Sequence, residues 1–384
     1  MVILEINYLI NFFIMPIKDN EYLKLKSSLK KILILFITMM GLVIFLLIAI
    51  VFNQNITSFF NSKEYKNIEI EKIYANAAIK DSLQREMSHF WKPVSLEEIT
   101  DSVFKKKVEY GKELIVHTAK YLGPNGSVQH SSNGMNCNNC HLDAGTKPWG
   151  NNYGSVYSTY PKMRARSGKI ENLFKRINDC FERSLNGKAL AENSSEMQAM
   201  IAYIEYIGKN VPKDSIALAS GIRDIDLMKR AASPEKGKKL YETKCTTCHQ
   251  SNGQGVFNEN KTEYTYPPLW GKNSYNNGAG LFRISRFAGY IKYNMPLGAT
   301  YDSPQLTDEE SWDIAAYVES LDRPNKDLSA DWPKIGKKPF DHPFGPFVDK
   351  YSEQQHKYGP FITIKKEKKK RDEAEELLKK KEKK

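Results

Sequence analysis

Cys137-Asn-Asn-Cys140-His141 recurs in kind as Cys245-Thr-Thr-Cys248-His249, and no other feature constrains the chain as tightly as this pair of CxxCH motifs. Each reads as a c-type haem attachment site. Two thioether bonds fix the porphyrin edge, the two-residue spacer lets both sulfurs reach it, and the adjacent His supplies one axial nitrogen. A zinc site would want further Cys or His at ligand spacing, which the motifs lack. A redox dithiol would not need a His in the same place twice. The sequence therefore specifies two covalently bound haem c groups, with iron held by His141 and His249.

Haem is attached to such chains outside the cytoplasm, and the N-terminus carries a matching address. Residues 32–52 contain no charge, about the 20 residues needed to cross a bilayer. Lys24, Lys26, Lys30 and Lys31 precede them, which leaves residues 1–31 in the cytoplasm and the bulk on the periplasmic side of the inner membrane. No clear A-x-A cleavage site follows, so the segment reads as an uncleaved signal anchor, with a cleaved signal peptide as the alternative. Met15 makes a more ordinary start for this signal than Met1. The formal charge is +12, of which residues 365–384 supply +5 from eleven Lys/Arg against six Asp/Glu. Such a run reads as a solvated helix or disorder, with acidic lipid or an acidic partner as the alternative. No aromatic platform or reading motif accompanies the charge, which argues against nucleic acid.

With 384 residues and 41% hydrophobic content, the chain can bury two ordinary domains plus tails. The surroundings of the two motifs repeat. Gly111-x-x-Leu114-Ile115 precedes the first, and Gly237-x-x-Leu240-Tyr241 the second, each on a helical pattern where a glycine lets another helix cross closely. Downstream come Ala202-Tyr203-Ile204-Glu205 and Ala316-Tyr317-Val318-Glu319, near the ends of amphipathic segments 195–208 and 308–321. The second of these opens with a capping box, Thr307-x-x-Glu310. The expected fold is all-α, with two tandem cytochrome c domains over 85–211 and 233–325 behind the transmembrane anchor. Residues 53–84 and 212–232 read as linkers, 326–364 as an extended segment packing on the domains, and 365–384 as the charged tail.

Each iron needs a sixth ligand or an open position. Met295, in Tyr-Asn-Met-Pro between the second motif and the closing helix, is the candidate for the second haem. Tyr266-Pro267-Pro268-Leu269-Trp270 reads as a wall of the same pocket. In the first half, Met197 and Met200 fall on the closing helix and read as core, while Met163 stays available. His117 and His130 carry no positional argument. Cys180, 39 residues after His141, occupies the place that Met295 holds in the other half. Arg164, Arg166, Lys175, Arg176 and Arg183 surround it in sequence. Cationic surroundings favour a thiolate, which is both ligand and nucleophile, and guanidinium suits small oxyanions. The competing reading of Cys180 is a small buried apolar residue.

The segments CNNCHLDAGT, YPKMRARSGKI, RINDCFERSLNGK, SSEMQAMIAYIEYI, YPPLWGKNSYNNGAG, NMPLG and HKYGPF together resemble the thiosulfate dehydrogenases, dihaem cytochromes c that couple thiosulfate to tetrathionate. The resemblance runs over roughly residues 91–364. It implies His141/Cys180 ligation of a reactive first haem, His249/Met295 ligation of an electron-transferring second haem, and electron exchange with a periplasmic partner such as a small cytochrome c. It also implies that Arg166 and Arg176 hold sulfonate groups, with the Ser184 hydroxyl close by. Some relatives carry Lys immediately before the Met; here that position is Asn294, with Lys292 nearby. A non-catalytic dihaem carrier, or a haem subunit of a larger sulfur-oxidising complex, are the rival readings.

Overall fold

The structure, a computed structural model, describes residues 24–51, 72, 82 and 85–382. The first stretch is helix α1 (Lys24–Val51), 28 residues with a window of mean hydropathy 3.1, long and apolar enough to cross a membrane. The readings made for residues 1–23, including a start at Met15, and for most of 53–84 lie outside the described residues.

From Arg85 onward the chain builds two hydrophobic cores. The main helices are α2 (Ser102–Val116), α3 (Leu173–Arg183), α4 (Ser195–Gly208), α5 (Pro234–Lys244), α6 (Ile284–Asn294), α7 (Asp308–Ser320) and α8 (Ile362–Glu382). Their starts are chemically marked. Asp101, Asn172, Ser194 and Ser233 each accept a hydrogen bond from a backbone N–H in the first turn, satisfying donors with no helical partner. At α7 the expected box closes both ways: Glu310 N–H donates to Thr307 Oγ1 at 3.2 Å, and Thr307 N–H to Glu310 Oε2 at 2.8 Å.

The same helix crossing is made twice. In the first core α2 lies so close to α4 that a Cβ on Gly111 would sit 2.0 Å from the Ala199 carbonyl oxygen and 2.8 Å from Tyr203 Cβ. In the second, α5 meets α7, and a Cβ on Gly237 would sit 1.8 Å from the Asp313 oxygen and 2.9 Å from Tyr317 Cβ. The repeated Gly and the repeated Tyr are thus the two sides of one contact. Val108, Leu114, Leu122, Met197 and Met200 are fully buried around the first crossing, each contributing about 1.5–3 kcal/mol by leaving water. Trp312, Ala315, Ala316 and Val318 fill the second.

Two small antiparallel hairpins interrupt the helices: β1 (Lys162–Arg164) with β2 (Lys169–Glu171), and β3 (Val256–Phe257) with β4 (Tyr264–Tyr266). Strands this short give no readable period. Residues 326–364 contribute Phe344 to the first core and Phe340, Tyr358, Phe361 and Ile364 to the second. The charged tail is helical, and it is tied to the segment before it where Lys337 Nζ reaches Asp372 at 2.9 Å and Glu375 at 2.8 Å.

Candidate haem centres and anion site

Both CxxCH segments are tight helical turns. Cys137–Asn139 is a single 3-10 turn, held because Asn136 and Asn139 cap each other and Thr118 Oγ1 accepts from Cys137 N–H at 2.9 Å. Asn136 is gripped in turn by Glu263, which also takes the His117 ring nitrogen at 2.9 Å. In both motifs the histidine spends Nδ1 on a carbonyl: His141 on Asn151 O at 2.5 Å and His249 on Pro267 O at 2.9 Å. That fixes each ring and leaves Nε2 for a metal. A largely apolar cavity of about 270 Å³ is lined by Cys137, Cys140, His141 and Cys180, with Tyr153, Met200 and Ile204 among its walls. A second, of about 230 Å³, is lined by Cys245, Cys248, His249 and Met295, walled by Tyr266, Pro267, Pro268 and Leu269. Trp270 is not on that wall; it packs on Tyr241 and Tyr317 with ring centroids at 5.1 and 5.8 Å. Two thiols, a fixed imidazole and a soft sulfur facing one apolar slot are the donor set that a covalent haem requires. Met197 and Met200 are core, as expected, and His130 is exposed.

The first centre has a second compartment. A cavity of about 420 Å³ reaches Cys140, His141 and Cys180 and is lined by Lys162, Arg164, Arg166, Arg176, Arg183, Arg283 and Arg286 against one acid, Asp179. Helix α3 supplies its floor. Arg176, Cys180 and Ser184 recur every four residues, so they share one helical face. Arg176 Nη1 donates to Cys180 Sγ at 2.9 Å. Burial pushes the Cys180 thiol up, but Arg176 and His141 outweigh it and bring its pKa down to about 6. Cys137 and Cys140, whose sulfurs carry the thioether bonds, have no cationic partner of this kind. Cys180 is therefore the ionisable sulfur of this centre, and its surroundings favour the thiolate. Ser184 caps the C-terminus of α3 and also lines the cavity.

Arg166 arrives from the turn after β1. Its Nη1 donates to Gly278 O at 3.1 Å, its Nε lies 3.8 Å from Asp331, and its guanidinium sits 5.6 Å from the Trp332 ring. Asp331 itself is held by both terminal nitrogens of Arg183 at 2.8 Å. Burial and then neighbouring Arg183 pull the Arg166 pKa down to about 10, against the pull of Asp331. The Nε atoms of Arg166 and Arg183 are buried without a hydrogen-bond acceptor. A cluster of this kind is short of negative charge and suits a small anion.

The expected residues Cys180, Arg166, Arg176 and Ser184 thus meet in one cavity. Sequence reasoning did not reach Lys162, Arg283, Arg286, Asp331 or Trp332. Lys162 and Arg164 alternate on one strand, a signal present in YPKMR but too short to read. Arg283 and Arg286 come from the other half of the repeat, and Asp331–Trp332 from a segment with no period.

Residues 127–212 match the family described as SoxA/TsdA, cytochrome c domain, and residues 234–322 match cytochrome c. The chain is a c-type cytochrome with two tandem cytochrome c domains, two covalently bound haem c groups and an N-terminal apolar helix that fits an anchor. It is 39% identical over 240 residues to a thiosulfate dehydrogenase of Psychrobacter arcticus, covering 61% of this chain and 69% of that one. A thiosulfate dehydrogenase of Allochromatium vinosum is 37% identical over 218 residues, 55% of this chain and 79% of that one. The chain belongs to the thiosulfate dehydrogenase family, oxidoreductases acting on sulfur compounds. Among solved structures, thiosulfate dehydrogenase (TsdBA) from Marichromatium purpuratum in its as-isolated form is similar, with a TM-score of 0.56 and 29% identity over 61% of this chain and 50% of that chain.

Proposed function

We propose that the chain couples two thiosulfate ions to tetrathionate, and that the same site can run in reverse. The observation carrying this reading is the Arg176–Cys180 pair beside His141, at the floor of a cavity lined by seven cationic side chains. His141 and, at rest, Cys180 would hold the iron of the first haem, and His249 and Met295 that of the second; Cys180 reacts when it is released from that position. When bound, the two haems supply one-electron acceptors that together take up the two electrons released.

The chain's own residues do the rest. Each thiosulfate carries two negative charges, so bringing two together costs repulsion that Arg166 and Arg176 offset while orienting the sulfurs. The Cys180 thiolate bonds to the outer sulfur of one thiosulfate, giving a cysteinyl S-thiosulfate and releasing two electrons. A second thiosulfate attacks that outer sulfur. The new sulfur–sulfur bond forms tetrathionate as the bond to Cys180 breaks, and the thiolate is regenerated. Ser184, beside Cys180 on the cavity wall, is proposed to donate to an anion oxygen. Helix α1 is proposed to hold the enzyme on the periplasmic face of the inner membrane, with a small periplasmic cytochrome c as acceptor or donor.

The test is reduction of both haems by thiosulfate in the purified holoenzyme, with tetrathionate quantified. Arg166→Ala and Arg176→Ala should keep both haems and each lose about ten- to a hundred-fold in kcat/KM, the worth of a charge-assisted contact. Haems that thiosulfate leaves oxidised would return the chain to a simple electron carrier.

A further inference from the structure

We propose that Lys162, with Arg164 beside it, forms a second anion-holding position in this cavity, seating the second thiosulfate or the far sulfonate of tetrathionate. The proposal rests on the thiosulfate reading above and deepens it.

Three observations carry it. First, Lys162 and Arg164 lie two residues apart on β1 and both line the cavity, with Met163 between them also on its wall. The strand therefore brings two cations to the same space. Second, Lys162 is short of a counter-charge. Its cross-strand neighbour is Glu171, yet the Glu171 carboxylate leans to Arg164 Nε at 3.5 Å. The Lys162 ammonium rests instead on Thr159 Oγ1 at 3.2 Å and 4.7 Å from the Tyr160 ring centre. Most other cations of the cavity have acids: Asp331 for Arg166 and Arg183, Asp341 for Arg283, Asp224 for Arg286. Third, the charged groups acting on Lys162 are Arg164 and Arg176, both cationic. Partial burial first, and these two second, hold its pKa below the usual lysine range. An anion bound between Lys162 and Arg164 relieves that repulsion.

The chemistry needs two such positions. Coupling joins two dianions end to end, so the sulfonates must lie apart while the outer sulfurs meet. Arg166 and Arg176 come from the turn after β1 and from α3; Lys162 and Arg164 occupy β1 itself. Lys162 acts here by positioning an anion and takes no part in bond making.

The experiment uses the holoenzyme with Lys162→Gln and Lys162→Arg. Thiosulfate is titrated against the oxidised protein and followed through the absorbance of the first haem, and steady-state oxidation is measured in parallel. Lys162→Gln should weaken binding and raise KM about tenfold or more, with haem content and resting spectra unchanged. Lys162→Arg should restore both, and should lack the alkaline fall in kcat/KM that loss of the Lys162 proton is expected to give in the wild type. Binding and KM within twofold of wild type in Lys162→Gln would overturn the proposal, as would an equal loss in Lys162→Arg. Wild-type protein that binds thiosulfate through Lys162 but does not oxidise it would support the anion position while overturning the functional reading.

Discussion

At the scale of single residues, the decisive fact is that one of three sulfurs around the first centre is electrostatically different. Cys180 has Arg176 at 2.9 Å, and the attachment cysteines have no cation comparably placed. Cys180→Gly should therefore leave covalent haem content intact, change the absorbance of the first haem, and abolish turnover; near-normal tetrathionate formation in that variant would exclude the covalent step. A second buried group makes a pH prediction. Glu319 accepts from Tyr275 at 2.6 Å and lies 3.2 Å from Arg323. Burial raises its pKa from 4.5 to about 7, with Arg323 and Tyr275 opposing. Between those values the folded chain keeps a proton that the unfolded chain has released, so this residue makes stability fall as pH rises, levelling off above about 7. Glu319→Gln should remove that share of the slope, read as melting temperature against pH for both proteins.

At the scale of elements, the two glycine crossings are the joints on which each domain depends. Gly237→Ala would drive a methyl against the Asp313 backbone, where nothing flexible can give way. Overpacking of this kind costs about 1–3 kcal/mol, so the variant should melt several degrees lower and retain less of the second haem. These joints were legible in the sequence because the Gly, the Tyr and the capping box each recur or follow a helical period. The attachment motifs and Cys180 were legible for the same reason, as positions in a plan written twice. The cavity was only half legible. Arg166 and Arg176 stand close to Cys180 in sequence, whereas Arg283 and Trp332 reach it from 103 and 152 residues downstream, by packing that no local pattern encodes.

At the scale of the molecule, the two centres share a wall. Cys140 lines the first haem cavity, the anion cavity and the second haem cavity, and Tyr290 of α6 donates to Asn139 O at 3.2 Å. On the proposed function, ligation at the second centre would set the direction of electron flow. Lys292, the nearest amine in sequence to Met295, is engaged by Leu306 O at 2.6 Å and Asp308 at 3.0 Å. Asn294 is buried and donates to Tyr290 O and Trp149 O at 3.0 and 3.2 Å. As the proposed ligand, Met295 should thus stay on the iron in both redox states and keep that haem at the higher potential, since thioether ligation favours ferrous iron. Asn294→Lys should introduce an amine that prefers ferric iron, lowering the second potential and giving hysteresis in a redox titration followed by absorbance and magnetic resonance.

The sulfur shared by the cavity walls has a kinetic corollary. On the proposed function, ions reach the first centre through the cationic cavity, and electrons leave through the second centre, whose slot shares Cys140 and Leu281 with that cavity but none of its seven cationic side chains. A sulfur anion and a redox protein then have no common landing place. Initial rates should give parallel lines in double-reciprocal plots when thiosulfate and acceptor are varied together, the signature of a two-site ping-pong scheme. Tetrathionate should compete with thiosulfate and leave the acceptor's own saturation untouched.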